Sequence, residues 1–113
     1  MHANTAVSAA SMDLEHEAVP PDQSLAGAPT TAATTLTEIG GVEVGVWEMT
    51  PGTMSDVEAE EVFVVLSGSA TVAFDDDTPG LQLRAGDVVR LAAGARTVWT
   101  VTETLRKVYL TGA

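Results

Sequence analysis

The stretch that decides the fold is Glu61-Val62-Phe63-Val64-Val65-Leu66-Ser67-Gly68, together with the segment Gly86–Trp99 further along the chain. Five apolar residues between turn signals are typical of a strand buried on both faces. A second β-rich run, residues 70–74, follows the Ser-Gly-Ser turn, and Gly86-Asp87 leads into the apolar run 88–91. A carboxylate at the head of such a strand needs a partner, so Glu61 is the first candidate for a site.

Short alternating segments with turn residues between them fill most of the chain, and none has a helical period. Eight such segments predict an all-β sandwich or barrel. The predicted strands are residues 30–38, 42–49, 62–66, 70–74, 81–83, 88–91, 97–101 and 106–111, with 54–59 expected to be irregular.

Two motifs resemble those of the cupins. Glu61-x6-Gly68 is similar to the second half of the first cupin motif, and Gly86-Asp87-x4-Ala92-x-Gly94 is similar to the second motif. The resemblance is closer to the small single-domain cupins related to (S)-ureidoglycine aminohydrolase and to ethanolamine-utilisation cupins, and it covers roughly residues 24–111. Six features in the order of that branch carry it: Gly45-Val46-Trp47-Glu48, Pro51-Gly52, Glu60-Glu61, Gly86-Asp87, Trp99 and Arg106-Lys107. The resemblance implies a double-stranded β-helix, the jelly-roll β-barrel of the cupin fold.

The resemblance also gives an expectation about metals. In metal-binding cupins, two histidines and the glutamate of the first motif and one histidine of the second hold a divalent ion. Only Glu61 matches that set here, and the two histidines of the chain, His2 and His16, lie near its beginning. The histidine positions fall on Thr97 for the second motif and, depending on spacer length, on Met54 and Asp56 or on Ser55 and Val57 for the first. We therefore expect no transition metal and no cofactor.

The resemblance implies that the candidate site lies inside the barrel, with Glu61 and Thr97 pointing inward. Period 2 places Glu61 and Phe63 on one face of their strand, and it places Thr97 and Trp99 on one face of theirs. A buried carboxylate is costly unless it is paired, and the candidate partners of Glu61 are Arg106 or Lys107 and the hydroxyls of Thr97 and Tyr109. The phase of the last strand stays open, since Arg106 faces inward in one phase and Lys107 with Tyr109 in the other. The predicted pocket residues are Glu61, Phe63, Thr97, Trp99, Trp47, Arg106, Lys107 and Tyr109.

Each of these residues also has a purely structural interpretation. Glu61 could be a salt-bridged structural carboxylate as well as a ligand-binding one, and Trp47 and Trp99 are more typical of core than of a ligand platform. A barrel interior allows both roles at once, because its core residues also line the cavity.

Composition excludes several classes of protein. Five basic and sixteen acidic residues give a formal net charge of −11, which disfavours nucleic acids and anionic membrane surfaces as partners. No apolar run approaches the length of a membrane span, which is about 18 residues. The chain has no cysteine, so it has neither disulfides nor a thiolate nucleophile, and we expect a cytoplasmic location.

The chain length of 113 residues predicts one domain. Prolines and small residues over 1–30 predict a flexible N-terminal arm, with residues 1–12 loosely packed, followed by a cupin barrel domain over 31–113. No basic residue and no long apolar core mark a signal peptide at the start.

Two functions stay open at this point, beside the possibility that the barrel interior is filled and the domain serves only assembly. One is a binding module that holds a small polar metabolite in the barrel without a metal. The other is an enzyme of nitrogen-compound (ureido or amino) or sugar metabolism, with Glu61 as general acid or base, which the resemblance alone suggests.

The outward residues Val62, Val64 and Leu66 need a cover. A partner chain and the N-terminal arm, through Leu14, Val19 and Leu25, are the two candidates. Because the arm is polar and broken by prolines, we expect a homodimer.

Overall fold

A computed structural model describes residues 1–112, and these form nine strands and no helix. The predicted all-β jelly roll is therefore confirmed; Ala113, the last residue of the predicted domain, lies outside the described residues. No helix long and apolar enough to cross a membrane occurs over 1–112. The strands are β1 (Glu17–Ala18), β2 (Ser24–Ala26), β3 (Thr30–Ile39), β4 (Val42–Met49), β5 (Gly52–Val57), β6 (Glu61–Phe74), β7 (Leu81–Arg84), β8 (Val88–Leu91) and β9 (Arg96–Gly112).

Two long strands, β6 and β9, build the curled antiparallel sheet. They pair with each other along most of their length. The C-terminal half of β9 also pairs with β4, and its N-terminal half pairs with β5. The other edge of β6 pairs with β8 near its start and with β7 further on. The two long strands therefore run through both layers of the jelly roll.

Both long strands bend where they pass from one layer to the other. The β6–β9 register shifts three times between Val65 and Ala70, and Gly68 lies within this bend at φ +91°. A methyl group on Gly68 would collide with the carbonyl of Thr104 and would lie 2.6 Å from Cα of Leu105. Glycine is required here because the two backbones touch and the dihedral angle is left-handed.

The bends correct the strand boundaries predicted from sequence. The predicted breaks at 67–69 and 102–105 are bends within continuous strands, not loops between separate ones. The expectation of irregular chain over 54–59 was wrong, since Gly52–Val57 forms β5 and pairs with β9.

The N-terminal segment extends the sheet at two edges, and its first part contacts Arg106 on the outer face. β1 pairs with β3 and β2 pairs with β5, while Val19 is buried. Arg106 Nη1 donates to the carbonyl oxygens of Ala9 at 3.0 Å and Met12 at 2.7 Å, and its Nε donates to Glu48 Oε1 at 2.9 Å. The division into a flexible arm and a barrel stays a prediction.

The core lies between the two layers and is apolar. Its largest fully buried side chains include Trp99, Phe63, Met49, Leu91 and Leu105. Two basic residues, Arg106 and Lys107, are also buried although they are neighbours in sequence. Because β9 alternates, Arg106 faces the N-terminal segment outside and Lys107 faces the interior.

Candidate functional site

A cavity of about 200 Å³ opens at one end of the barrel interior. Strands β3, β4, β5, β6 and β9 and the loop after β5 contribute its walls. The lining contains three carboxylates, one ammonium group and three aromatic rings. Its residues are Ala33, Trp47, Asp56, Glu58, Ala59, Glu61, Trp99, Lys107, Tyr109 and Thr111.

Lys107 is the only basic residue in this lining, and it is paired. Its Nζ lies 3.0 Å from Glu61 Oε1, and the two side chains are 6% and 11% exposed. Three aromatic rings surround the same ammonium group, with Nζ 4.1 Å from the ring centroid of Phe63, 4.5 Å from Trp47 and 5.0 Å from Trp99. The carboxylate and the negative ring faces together compensate for the lost hydration of the ammonium.

Glu58 is a second buried carboxylate, and the sequence analysis did not identify it. It is 7% exposed. Its Oε2 accepts hydrogen bonds from Thr97 Oγ1 at 2.6 Å and from Trp99 Nε1 at 3.0 Å. Trp99 therefore belongs to the core and also orients a polar group of the cavity.

The turn of the second motif fixes the backbone of Glu58. The amide of Gly94 donates to the carbonyl of Glu58, and the amide of Glu58 donates to the carbonyl of Ala95, both at 2.8 Å. These two bonds hold the loop after β5 in place although it belongs to no strand. Glu58 is therefore preorganised by backbone contacts as well as by its side-chain donors.

Asp56, at the end of β5, is the third carboxylate. Burial raises the pKa of Asp56 above its usual value of 3.8, and the nearby charges of Glu58 and Glu61 raise it further. The amide of Val57 donates to its Oδ1 at 2.8 Å and opposes this shift. Asp56 therefore ionises at a cost that a nearby cation would relieve.

Tyr109 closes one side of the cavity. Its hydroxyl donates to Glu43 Oε2 at 2.7 Å. Burial and then this bond raise the pKa of Tyr109 to about 12. Its ring occupies the space above Gly45, where a methyl group would collide with the ring and would lie 2.6 Å from the carbonyl oxygen of Thr34.

The structure brings most of the predicted site residues together. Trp47, Glu61, Trp99, Lys107 and Tyr109 line the cavity, Phe63 lies against Lys107, and Thr97 holds Glu58. Arg106 is the exception, since it lies on the outer face with Glu48 and the N-terminal segment. Of the two phases left open for the last strand, the structure has the one with Lys107 and Tyr109 inside.

The structure shows where the positions that carry histidines in metal-binding cupins lie. Met54 is buried in the core, and Asp56 and Thr97 pair with each other across β5 and β9. His16 lies outside the barrel, with Nε2 2.6 Å from Glu48 Oε2. Within residues 1–112, no group of three or more histidine, cysteine, aspartate or glutamate side chains is arranged to hold a metal ion.

A larger groove of about 420 Å³ lies on the other side of Asp56. It runs between the N-terminal segment, β5 and the ends of β6 and β9, and its charged residues Asp22, Asp75 and Arg96 are exposed. The smaller cavity is the better candidate site, because its charges are buried and held by defined partners.

A comparison with protein families decides the family. The model of the EutQ-like cupin domain matches residues 36–109. The chain belongs to this cupin family. A search of the curated proteins found no match.

Solved structures similar to this cupin share its fold. The Clostridium difficile EutQ protein is 17% identical with a TM-score of 0.66, and the match covers 85% of this chain and 79% of that one. A Pseudomonas syringae pv. tomato protein of unknown function is 24% identical with a TM-score of 0.75, and the match covers 89% of this chain and 45% of that one. A cupin-2 domain containing protein from Shewanella frigidimarina is 19% identical with a TM-score of 0.60, with 72% and 79% covered.

Proposed function

We propose that this cupin is a binding module that holds a small polar metabolite in its barrel without a transition metal. The observation that carries the proposal is the cavity of about 200 Å³ whose buried charges face the interior. Ligand sites are concave, largely apolar and furnished with a few oriented polar groups. Here Trp47 and Trp99 supply apolar surface, and Glu58, Glu61 and Lys107 supply polar groups.

The volume sets the size of the ligand. A water molecule occupies about 30 Å³ of liquid, so the cavity has room for about six or seven waters or for a metabolite of comparable bulk.

The alternative, an enzyme with Glu61 as general acid or base, has less support from this geometry. Glu61 is held by Lys107 at 3.0 Å, so this carboxylate is engaged in an ion pair and is not free to contact a substrate. The branch related to (S)-ureidoglycine aminohydrolase and the cytoplasmic location stay proposals that rest on the sequence motifs and on the absence of cysteine.

A thermal-shift screen of small polar metabolites and divalent metals, run on three proteins, tests the proposal. Ala33→Phe places a large side chain in the wall of the small cavity, and Ala73→Phe makes the same change in the larger groove. We expect an organic ligand to stabilise the wild type and Ala73→Phe, and to have no effect on Ala33→Phe. Stabilisation by a transition metal alone, or loss of the ligand effect only in Ala73→Phe, would refute the proposed site.

A further inference from the structure

The charges that line the cavity do not balance. Asp56, Glu58 and Glu61 are acidic, and Lys107 alone is basic. Lys107 is already neutralised by Glu61 at 3.0 Å. Two carboxylates, Asp56 and Glu58, thus form no ion pair among residues 1–112, although the charge of Lys107 acts on Asp56.

One oxygen of Glu58 is available to a ligand. Both donors to its side chain, Thr97 Oγ1 and Trp99 Nε1, bind Oε2. Within the described part of the chain, Oε1 has no hydrogen-bond partner, although the residue is only 7% exposed and lines the cavity. No buried side-chain oxygen among the described residues lacks a hydrogen-bond partner, so Oε1 is accessible to solvent, and an N–H group bound in the cavity would donate to it.

Asp56 provides a second acceptor beside it. Its Oδ1 accepts only the amide of Val57, and no donor reaches Oδ2 from residues 1–112. Two acceptor oxygens from separate elements, the end of β5 and the loop that follows it, therefore face one small cavity.

We infer that the ligand of this cavity is a small organic cation with N–H donors, a protonated amine, bound by Glu58 and Asp56 beside the rings of Trp47 and Trp99. This rests on the proposed binding function and assigns its ligand class. An ammonium group would donate charge-assisted hydrogen bonds to the two carboxylates, and its alkyl part would contact the indole rings.

The same groups select against other ligand classes. A carboxylate or phosphate ligand would meet three acidic side chains and one ammonium that is already paired. A neutral alcohol would satisfy one acceptor but would leave the charge of both carboxylates uncompensated. A bare divalent ion lacks a suitable donor set within residues 1–112.

A matched set of three-carbon probes tests the inference: propylammonium, 1-propanol and propionate. The readout is the indole N–H resonance of Trp99, which reports directly on Glu58 because it donates to Oε2. We expect propylammonium to shift this resonance saturably, and the other two probes to bind at least about tenfold more weakly, the factor that one hydrogen bond to a charged group provides.

Variants that remove single charges identify the carboxylates that bind propylammonium. Asp56→Asn and Glu58→Gln keep the shape of the side chain and remove its charge, and each should weaken propylammonium binding about tenfold or more. Asp75→Asn is the control, since it removes an equal charge from the larger groove. Equal weakening by Asp75→Asn would show attraction of a cation to an acidic surface and would overturn the inference.

The outcomes separate the inference from the proposed function. Binding of 1-propanol or propionate at the cavity as tight as that of propylammonium would refute the ligand class and leave the binding module standing. If an anionic metabolite stabilised the wild type but not Ala33→Phe, the ligand class would likewise be refuted and the binding function would stand. If no organic compound stabilised the wild type while leaving Ala33→Phe unaffected, the proposed function itself would be refuted.

Discussion

Lys107 and Glu61 form a buried ion pair although they are not opposite each other in the sheet. The register pairs Lys107 with Val65 and Glu61 with Thr111, so the lysine side chain runs along the sheet to reach its partner. This path takes Nζ across the ring of Phe63, 4.1 Å from its centroid. The ring of Phe63 is thus part of the surface along which the lysine side chain extends.

Removing the charge of Glu61 should destabilise the fold strongly. Glu61→Gln leaves the ammonium of Lys107 buried without its counter-charge, which costs about 3–5 kcal/mol of unfolding free energy. Urea denaturation measures this, and the control is Glu60→Gln, which breaks the exposed Arg90–Glu60 pair and should change stability little. The double variant Glu61→Gln/Lys107→Met should recover most of the loss. Equal, small effects of the two single variants would contradict a structural ion pair.

The only tyrosine of the chain gives a direct pH measurement. Absorbance titration should show a pKa of about 12 for Tyr109. Glu43→Gln removes the charge of the acceptor and should bring the pKa down toward 10, the usual value. Because the folded pKa is raised, the protonated phenol stabilises the fold below pH 10, and this contribution is lost as the pH rises toward 12. A wild-type pKa near 10 would show that neither the burial of the phenol nor its bond to Glu43 persists in solution.

Asp56→Asn should stabilise the protein at neutral pH. Burial first, and then Glu58 and Glu61, raise the pKa of Asp56, so its ionised form is disfavoured in the fold. Its favourable contribution is present below the usual value of 3.8 and is lost as the pH rises through the raised value. The asparagine keeps the acceptor for Val57, and we expect an increase in Tm of a few degrees at neutral pH that shrinks as the pH falls toward 3.8. A decrease in Tm at neutral pH would contradict this. A variant that is more stable but binds amines worse is the expected trade-off at a binding site.

Gly68→Ala should be among the most damaging single changes. The added methyl group meets the backbone of Thr104 and Leu105, which cannot rotate away, and the positive φ adds strain. We expect a loss of about 3 kcal/mol or more, measured by denaturant unfolding. Gly112→Ala is the control, since no atom would lie within 4 Å of the added methyl group and φ is not positive there. A loss under about 1 kcal/mol at Gly68 would show that the bend can relax.

We predict that the cupin is a homodimer through its uncovered outer face. The N-terminal segment covers Arg106, whereas Val62, Val88 and Leu110 remain 36%, 68% and 38% exposed on the same side of the sheet. Burying them against a second copy would contribute about 1.5–3 kcal/mol for each fully buried side chain. Light scattering should give twice the mass of the chain for the wild type, and the mass of one chain for Val62→Glu/Leu110→Glu. A wild-type mass of one chain would rule the dimer out.

The sequence was sufficient for the fold and for much of the cavity wall. Alternation along short strands grouped Glu61 with Phe63 and Thr97 with Trp99, and the resemblance to cupins implied that these faces point inward. Alternation could not choose between Arg106 and Lys107, because a shift of one residue exchanges the two faces of a strand and three register shifts separate the ends of β6. The structure shows that both basic residues are buried, on opposite faces of β9.

The inward position of Glu58 could not be predicted from the sequence for a different reason. It lies in a loop, where no periodicity indicates which way a side chain points. The available signal was its position three residues before Glu61, on the segment that the second motif contacts through Gly94 and Ala95. Such a contact joins residues more than thirty positions apart, and alternation within single strands carries no information about it.

The position of β9 in the sheet has a consequence for biosynthesis. This last strand supplies Trp99, Lys107, Tyr109 and Thr111 to the cavity and is the partner of β4, β5 and β6. Until it has left the ribosome, β4 and β5 each lack a neighbour and β6 lacks the partner along one whole edge. The barrel therefore closes only after residue 112 has been translated, and the nascent chain exposes unpaired apolar strands for most of its synthesis. A ribosome that stalls within β9 would release a product with neither a stable sheet nor a binding site, and such a fragment is a substrate for chaperones and proteases.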